Sequence, residues 1–299
     1  RVPVHASPFR YCFRLPQGYL GSHGLERTLP RYDRFFHLLA KPLPPEWALG
    51  AVFYQIFPDR FRQGRPELAP KEGAWLYGGR PIRKKAWHEP PGEDGAREFY
   101  GGDLFGVLEA LPYLEALGVE ALYLTPIFQS PSSHRYDTED YHRVDPHLGG
   151  EEALRALYEA LEARGMKLIL DGVFNHVGAT HPWFQKALKD PSSPERGMFT
   201  FYPDGSYASF WGVKHMPKLD YASALTQERF VFGKEAPVRY WMRLAHGWRL
   251  DVAHSIGEGG TNRKNARWLR ALARAAKEER EDALVFGELS YDTVPTLRA

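Results

Sequence analysis

Cysteine is almost absent from this sequence of 299 residues, in which Cys12 is the only one. A single cysteine excludes an internal disulfide framework. No catalytic-cysteine signature surrounds Cys12, which is typical of a small core hydrophobe. No apolar run approaches the ~18 residues of a membrane span, and no signal peptide is visible, although the chain begins at Arg1 and processing stays open. We therefore expect a cytoplasmic protein that makes no contact with a membrane.

Net charge is also scarce, because 39 basic and 37 acidic residues leave a formal charge of +2. So small a charge argues against nucleic acid as a partner. Asparagine occurs three times, whereas proline occurs 24 times. Few thermolabile amides and many prolines indicate a heat-adapted, thermostable protein.

The first 48 residues differ in pattern from the rest. The stretch YCFRL (11–15) reads as a strand, followed by turns rich in proline and glycine. This part is too short and too poor in apolar residues to form a stable domain. We interpret residues 1–48 as the end of a β-rich module together with a linker, LAKPLPPEWALG (39–50).

From residue 51 onwards apolar runs alternate with segments of helical spacing. The predicted strands are 51–58, 121–128, 167–174, 248–253 and 284–289, and the predicted helices are 105–118, 151–165, one near 235–245, and 266–281. Such alternation predicts a parallel sheet with crossover helices. The segment 177–225 interrupts it with about 49 residues, a length typical of a functional loop or small subdomain.

Three carboxylates lie where successive predicted strands end: Asp171, Asp251 and Glu288. Taken alone, Asp171 could cap the following turn, Asp251 could pair with Arg249, and Glu288 could be a solvated strand end. The carboxyl ends of parallel barrel strands form one face, where active sites lie, and neighbouring strands are about 5 Å apart. Paired carboxylates about 5–5.5 Å apart suit retaining glycoside hydrolysis. The three together therefore predict a glycosidase site.

Six segments carry a family resemblance: YQIFPDRF (54–61), YGGDLFG (100–106), SPSSHRYDTEDYHRVDPHLGG (130–150), DGVFNH (171–176), GWRLDVAH (247–254) and FGELS (286–290). In order and spacing they resemble the conserved segments of the α-amylase family, glycoside hydrolase family 13. The resemblance covers almost all of residues 51–299. It implies an α/β fold, a (β/α)8 TIM barrel, with residues 49–176 and 226–299 in the barrel and subdomain B at 177–225.

Within the family, GEGGTNRKNA (257–266) is most similar to the maltodextrin glucosidases, with neopullulanases and cyclomaltodextrinases nearby. The stretch YCFRLPQGYLGSHGL (11–25) resembles the end of the amino-terminal β-sandwich of these groups. That module often mediates dimers in the neopullulanase group, so a homodimer is open.

The resemblance implies residue roles. Asp251 resembles the nucleophile that forms the glycosyl-enzyme, and Glu288 the general acid and base. Arg249 lies on the same strand face as Asp251 and should keep it ionised. His134 and His176 resemble donors to the sugar hydroxyls, and Tyr136 resembles the aromatic platform under that sugar. Asp171 and Asn175 resemble residues that hold His176 and Arg249 in place. His254 and Glu258 are the candidates for the leaving-group side.

Four aromatic residues of the inserted loop have two readings, namely the cleft wall or the core of the loop: Trp183, Phe184, Phe210 and Trp211. No cofactor is predicted. Relatives of the neopullulanase group often bind calcium after the first strand, but RQGRPELAP (62–70) offers Gln63, Arg65 and Leu68 where oxygen ligands are wanted. Only Asp103 of the GGD segment remains. We therefore expect no metal there and expect Asp103 to be a turn or helix-cap residue.

The sequence ends at Ala299, just beyond the fifth predicted strand. Five strands of an eight-stranded barrel leave two edges and a bare face. We therefore expect either a fragment, truncated after the fifth strand, or a barrel completed by another chain. The third carboxylate that the family uses would lie beyond Ala299, and the piece alone should be inactive.

The leading hypothesis is a retaining hydrolase that releases glucose from maltooligosaccharides. Its alternatives are a neopullulanase or cyclomaltodextrinase that releases maltose, a transglycosylase of the same fold, and an amylase-like binding subunit without catalysis. The last would be marked by loss of the nucleophile or the acid, yet Asp251, Glu288 and Arg249 are all present.

Overall fold

The computed structural model describes residues 9–31, 34–38 and 44–290. In chain order its strands are β1 (Phe9–Tyr11), β2 (Phe13–Leu15), β3 (Gly18–Gly21), β4 (Gly24–Glu26), β5 (Phe36–Leu38), β6 (Phe53–Ile56), β7 (Leu76–Tyr77), β8 (Arg80–Pro81), β9 (Arg83–Lys84), β10 (Glu98–Phe99), β11 (Ala121–Leu124), β12 (Phe128–Gln129), β13 (Asp140–Val144), β14 (Lys167–Gly172), β15 (Gly247–Leu250) and β16 (Leu284–Gly287). Its α-helices are α1 (Leu104–Glu109), α2 (Leu111–Ala116), α3 (Gly150–Glu162), α4 (Pro182–Lys189), α5 (Ala224–Gln227), α6 (Pro237–Tyr240) and α7 (Asn265–Glu279).

A five-stranded parallel sheet is the centre of the fold, in the order β6–β11–β14–β15–β16. These are the five strands predicted from the sequence, and their spatial order is their chain order. Such consecutive, parallel pairing is the topology of an α/β barrel. The carboxyl ends of all five strands therefore meet at one end of the sheet.

The hydrophobic core lies between this sheet and the helices on its outer side. In α3 the buried positions Ala153, Leu154, Leu157 and Leu161 form one stripe, as expected for an amphipathic helix. They pack with outward-facing strand residues such as Leu168 and Leu170. Burial of each leucine contributes roughly 1.5–3 kcal/mol to this layer.

The inner face of the sheet carries the alternate residues of each strand. The sheet is curled, so that the rings of Phe53 on β6 and Phe286 on β16 are 6.3 Å apart. Both rings line a cavity of about 540 Å³, which is lined also by Gln55 and Tyr123. The chemistry-bearing residues of the next layer lie above this cavity, towards the carboxyl ends of the strands.

Three predicted elements differ from the structure. YCFRL (11–15) is not one strand: β1 pairs with β5, whereas β2 pairs with β3 in a separate antiparallel meander. The predicted helix over 105–118 is divided into α1 and α2 at Ala110, because Pro112 has no N–H to continue the helical hydrogen bonds. The helix near 235–245 is reduced to α6 and one 3₁₀ turn, Trp241–Arg243.

The inserted segment 177–225 contains α4 and a set of single β-bridges, among them His176–Lys218 and Phe199–Leu219. Its buried side chains Met198 and Phe199 belong to the same continuous core as the barrel layers. The segment is therefore packed against the barrel at the carboxyl end of β14.

No helix in the described part of the chain combines the length and apolar character that crossing a membrane requires. Residues 39–43 of the predicted linker, and residues 291–299 at the predicted point of truncation, lie outside the described residues.

Candidate active site

The strand register brings the predicted carboxylates together. Asp171 of β14 lies directly opposite Arg249 of β15. Asp251 follows β15 and Glu288 follows β16, and the two strands are hydrogen-bonded neighbours. Residues that are far apart in sequence therefore share one strand-end face, as the sequence predicted.

One guanidinium group binds all three carboxylates. Nη1 of Arg249 donates to both oxygens of Asp171, at 2.9 and 2.8 Å, and to Oδ1 of Asp251 at 3.0 Å. Nη2 lies 2.8 Å from Oε2 of Glu288. The carboxyl groups of Asp251 and Glu288 are therefore held on either side of a single flat cation, with Glu288 half-exposed and Asp251 buried.

Burial, together with the neighbouring charges, shifts the pKa values of Asp251 and Asp171. Burial raises the pKa of Asp251 from 3.8 to about 7; the charge of Asp171 adds to this rise and Arg249 opposes it. Burial likewise raises the pKa of Asp171 to about 6, against the lowering effect of Arg249. Arg249 therefore acts in the expected direction, because it favours the ionised form of Asp251, but burial has the larger effect on the pKa of this group.

Tyr123 is a site residue that sequence reasoning missed. Its hydroxyl donates to Oδ2 of Asp171 from the inner face of β11. Tyr136 donates to the same oxygen at 3.2 Å. A polar-tipped aromatic within the aliphatic strand ALYL was the available signal, but strand tyrosines are also ordinary core residues.

Replacement of Tyr123 by phenylalanine should lower the free energy of unfolding at pH 7 by about 1–3 kcal/mol, because a buried carboxylate loses a hydrogen-bond donor. Denaturant unfolding would measure this loss. Tyr113→Phe is the matched control, because Tyr113 is 59% exposed. Loss of its hydroxyl should leave the free energy of unfolding nearly unchanged. Equal stability of both variants would contradict the role given to the Tyr123 hydroxyl.

His134 and Tyr136 flank Arg135, whose left-handed backbone (φ 61°) is held by a buried ion pair of 2.6 Å with Asp145. Nδ1 of His134 accepts the N–H of Tyr136 at 3.1 Å. Within the described residues its Nε2 has no hydrogen-bond partner, and the side chain is 26% exposed. Burial lowers the pKa of His134, which favours the neutral ring. It can therefore present one ring N–H to a ligand.

His176 is placed differently from the expectation. Its ring is buried, Nε2 lies 3.1 Å from the carbonyl oxygen of Tyr136, and Nδ1 lies 3.1 Å from Nδ2 of Asn175. Burial lowers the pKa of His176 to about 4. Because both nitrogens are engaged within the protein, this geometry ties Tyr136 in place and offers no free donor to a sugar. The contacts of Asn175 to His176 and of Asp171 to Arg249 are those expected of residues that hold others in place.

The two candidates for the leaving-group side are both buried. His254 lies in the short turn after Asp251. Glu258 is 3% exposed, accepts from the Trp268 indole at 3.2 Å and pairs with Lys264 at 3.0 Å. A carboxylate so fully engaged holds the loop to α7, which corrects the expectation that Glu258 contacts substrate.

The four aromatic residues of the inserted loop divide into two pairs. Phe184 is 1% exposed and Trp183 packs against the core, so these two residues belong to the core of the loop. Phe210 stacks on His176 at 5.1 Å, and Trp211 stacks on Phe210 at 4.9 Å and is 73% exposed. Only the second pair reaches from the site to its rim.

Asp103 is a helix cap, as predicted. Its Oδ1 accepts the N–H of Gly106 at 2.7 Å, and its Oδ2 accepts those of Gly64 and Arg65. Both oxygens are therefore used by the backbone. In the part of the chain that the structure describes, no group of three or more His, Cys, Asp or Glu side chains is arranged to hold a metal ion.

Comparison with known proteins identifies the family of the chain. The family model described as the catalytic domain of alpha amylase matches residues 55–212. The chain is 36% identical over 296 residues to an intracellular maltogenic amylase of Bacillus subtilis, covering 94% of this chain and 46% of that protein. It is 37% identical over 303 residues to neopullulanase 2 of Thermoactinomyces vulgaris, covering 95% of this chain and 48% of that protein.

A solved structure, the type III pullulan hydrolase from Thermococcus kodakarensis, superposes with a TM-score of 0.73 at 30% identity. The match covers 91% of this chain and 49% of that one. The chain therefore spans about half the length of the relatives it matches. From the matched catalytic-domain model and these relatives, the chain belongs to the α-amylase family of glycoside hydrolases.

Proposed function

We propose that the protein hydrolyses α-1,4-glucosidic bonds of maltooligosaccharides with retention of configuration, releasing glucose. The observation that carries this proposal is the bridge of Arg249 between Asp251 and Glu288. Double displacement needs two carboxyl groups at the scissile bond, one as the nucleophile and one as the acid and base.

In this mechanism Asp251 attacks the anomeric carbon while Glu288 protonates the departing glucosidic oxygen. Water then displaces Asp251, and Glu288 takes the proton of that water. His134 donates its free ring N–H to a hydroxyl of the same sugar, and the ring of Tyr136 lies beside it. Asp171 fixes Arg249, which in turn fixes both reacting carboxylates.

The release of maltose is the second candidate. It is supported by the names of the relatives, which include maltogenic amylase, cyclomaltodextrinase and neopullulanase. These names fit a maltose-producing enzyme at least as well as a maltodextrin glucosidase.

Cytoplasmic action on imported oligosaccharides is consistent with the relative named intracellular.

The test is incubation of the full-length protein, as encoded by its gene, with maltotriose and separately with a cyclic maltodextrin. We expect glucose from maltotriose at the earliest times, and NMR should show the newly formed reducing end as the α-anomer, because two inversions retain configuration. Maltose as the first product from the cyclic substrate would favour the second candidate. A β-anomer would contradict the double displacement, and unchanged substrates would contradict hydrolysis altogether.

A further inference from the structure

Lys218 lies in the inserted segment, between the carboxyl end of β14 and the turn that follows β15. Its side chain is buried, with the residue 4% exposed. The ammonium Nζ donates to Oδ1 of Asn175 at 2.8 Å and to the carbonyl oxygen of Ser255. One side chain thus binds two segments that are 80 residues apart in sequence.

Each of these two contacts leads to the reacting groups. On one side, Asn175 contacts His176, whose other ring nitrogen reaches the carbonyl of Tyr136. On the other side, Ser255 donates its backbone N–H to the carbonyl of Val252 at 2.8 Å. Val252 follows Asp251 directly.

The turn that Lys218 holds is strained. Val252 has φ 36° and ψ 48°, a left-handed conformation that is costly for a β-branched residue. In that conformation its N–H points to Oε2 of Glu288 at 3.3 Å. Such strain persists only where the surroundings fix it, and the bond from Lys218 to Ser255 is one of the contacts that do so.

A loop anchor of this kind could be apolar, since burying an ammonium group is costly. Among the described residues no carboxylate lies within ion-pair distance of Nζ, so an amide and a carbonyl are its partners. Burial accordingly lowers the pKa of Lys218 to about 8, although the charge of Asp220 opposes this. The cation is therefore buried at an energetic cost, and it contacts both sides of the site.

We propose that Lys218 is a positioning residue of the hydrolytic site, which sets the geometry of the Val252 turn and of Tyr136. This inference rests on the proposed hydrolysis. It requires that loss of the ammonium group misplace Asp251 and Glu288 relative to a bound sugar while leaving the binding groups present. A misplacement of about 1 Å can reduce turnover by about 100-fold.

The test compares Lys218→Met with Lys214→Met in the full-length protein. Lys214 lies four positions earlier in the same segment and is exposed, so it is the matched control. With maltotriose, and well below the unfolding temperature of each variant, we expect Lys218→Met to lower kcat about 10- to 100-fold with KM changed less than about threefold. Lys214→Met should match the wild type. If Lys218→Met does not fold, Lys218→Gln, which keeps an N–H donor, serves with the same expected direction.

A kcat of Lys218→Met within about twofold of the wild type would overturn the inference. So would a loss of kcat that merely equals the fraction of unfolded protein. Because the wild type is assayed beside the variants, absence of product from the wild type counts against the proposed hydrolysis and is distinguishable from either result.

Hydrogen exchange decides the inference without any activity. In Lys218→Met the amides of residues 251–256 and 173–177 should exchange faster than in the wild type, whereas Lys214→Met should leave both segments unchanged. Unchanged exchange in Lys218→Met would overturn the positioning role whether or not the protein is active.

Discussion

Asp251→Asn is expected to reduce kcat on maltooligosaccharides by on the order of 10⁴-fold or more, because an amide cannot form the glycosyl ester. Binding of maltose should change little, since asparagine keeps the size of the side chain and Arg249 remains anchored by Asp171. Single-turnover kinetics with calorimetric measurement of maltose binding would separate the two effects.

Asp204→Asn is the control for this substitution, because its carboxylate lies exposed in the inserted segment and bonds only to Ser206 in the described structure. It should leave the rate unchanged. A rate for Asp251→Asn within about tenfold of the wild type would mean that another group attacks the sugar, and loss of maltose binding would mean that Asp251 acts mainly in recognition.

Arg249→Met is expected to lower the free energy of unfolding by about 3–5 kcal/mol at pH 8, because it leaves buried carboxylates without their cation. The loss should be less than half as large at pH 5, where the same carboxyl groups hold protons and need no cation. Equilibrium unfolding in denaturant, repeated from pH 5 to pH 8, would measure the difference between the two proteins.

Protonation of the two buried carboxyl groups sets the direction of this pH dependence. In the folded protein the pKa of Asp171 is about 6 and that of Asp251 about 7, above the ordinary 3.8. Their contribution to stability is therefore fully present below pH 3.8 and is lost as pH rises through 6 and 7. Arg249 lowers both values, so its removal raises them and extends the loss to higher pH. His176, with a pKa of about 4, has the opposite slope but is common to both proteins.

Arg155→Met supplies the comparison for a surface charge. Arg155 pairs with Glu151 one helical turn away on the exposed side of α3, a contact worth about 0.3–0.5 kcal/mol. Its cost should not vary between pH 5 and pH 8. A cost for Arg249→Met that is equally constant with pH would show that Asp171 and Asp251 do not titrate in this range.

Much of the fold could be predicted because its signals are local. The apolar runs that became β6, β11, β14, β15 and β16, and the helical stripes of α3 and α7, are periodic over several residues. The break between α1 and α2 was missed because the helical spacing of apolar residues continues through it. Within such a pattern, Pro112 at the second position of a new helix cannot be told from a proline that a single helix tolerates. The division of 11–15 into two strands depends on pairing with Phe36–Leu38, which no local pattern reveals.

Residue order and spacing were enough to assign the family, the order of the strands and the strand-end positions of Asp171, Asp251 and Glu288. How these groups share charge emerged only from the folded chain, because the pKa of Asp251 depends on burial and on Asp171, 80 residues away. Folding also turned His176 and Glu258 inwards, where protein partners satisfy their polar atoms, and placed Lys218 between two strand ends. Side-chain direction and burial arise from contacts between distant segments, so residue type and spacing alone could not predict them.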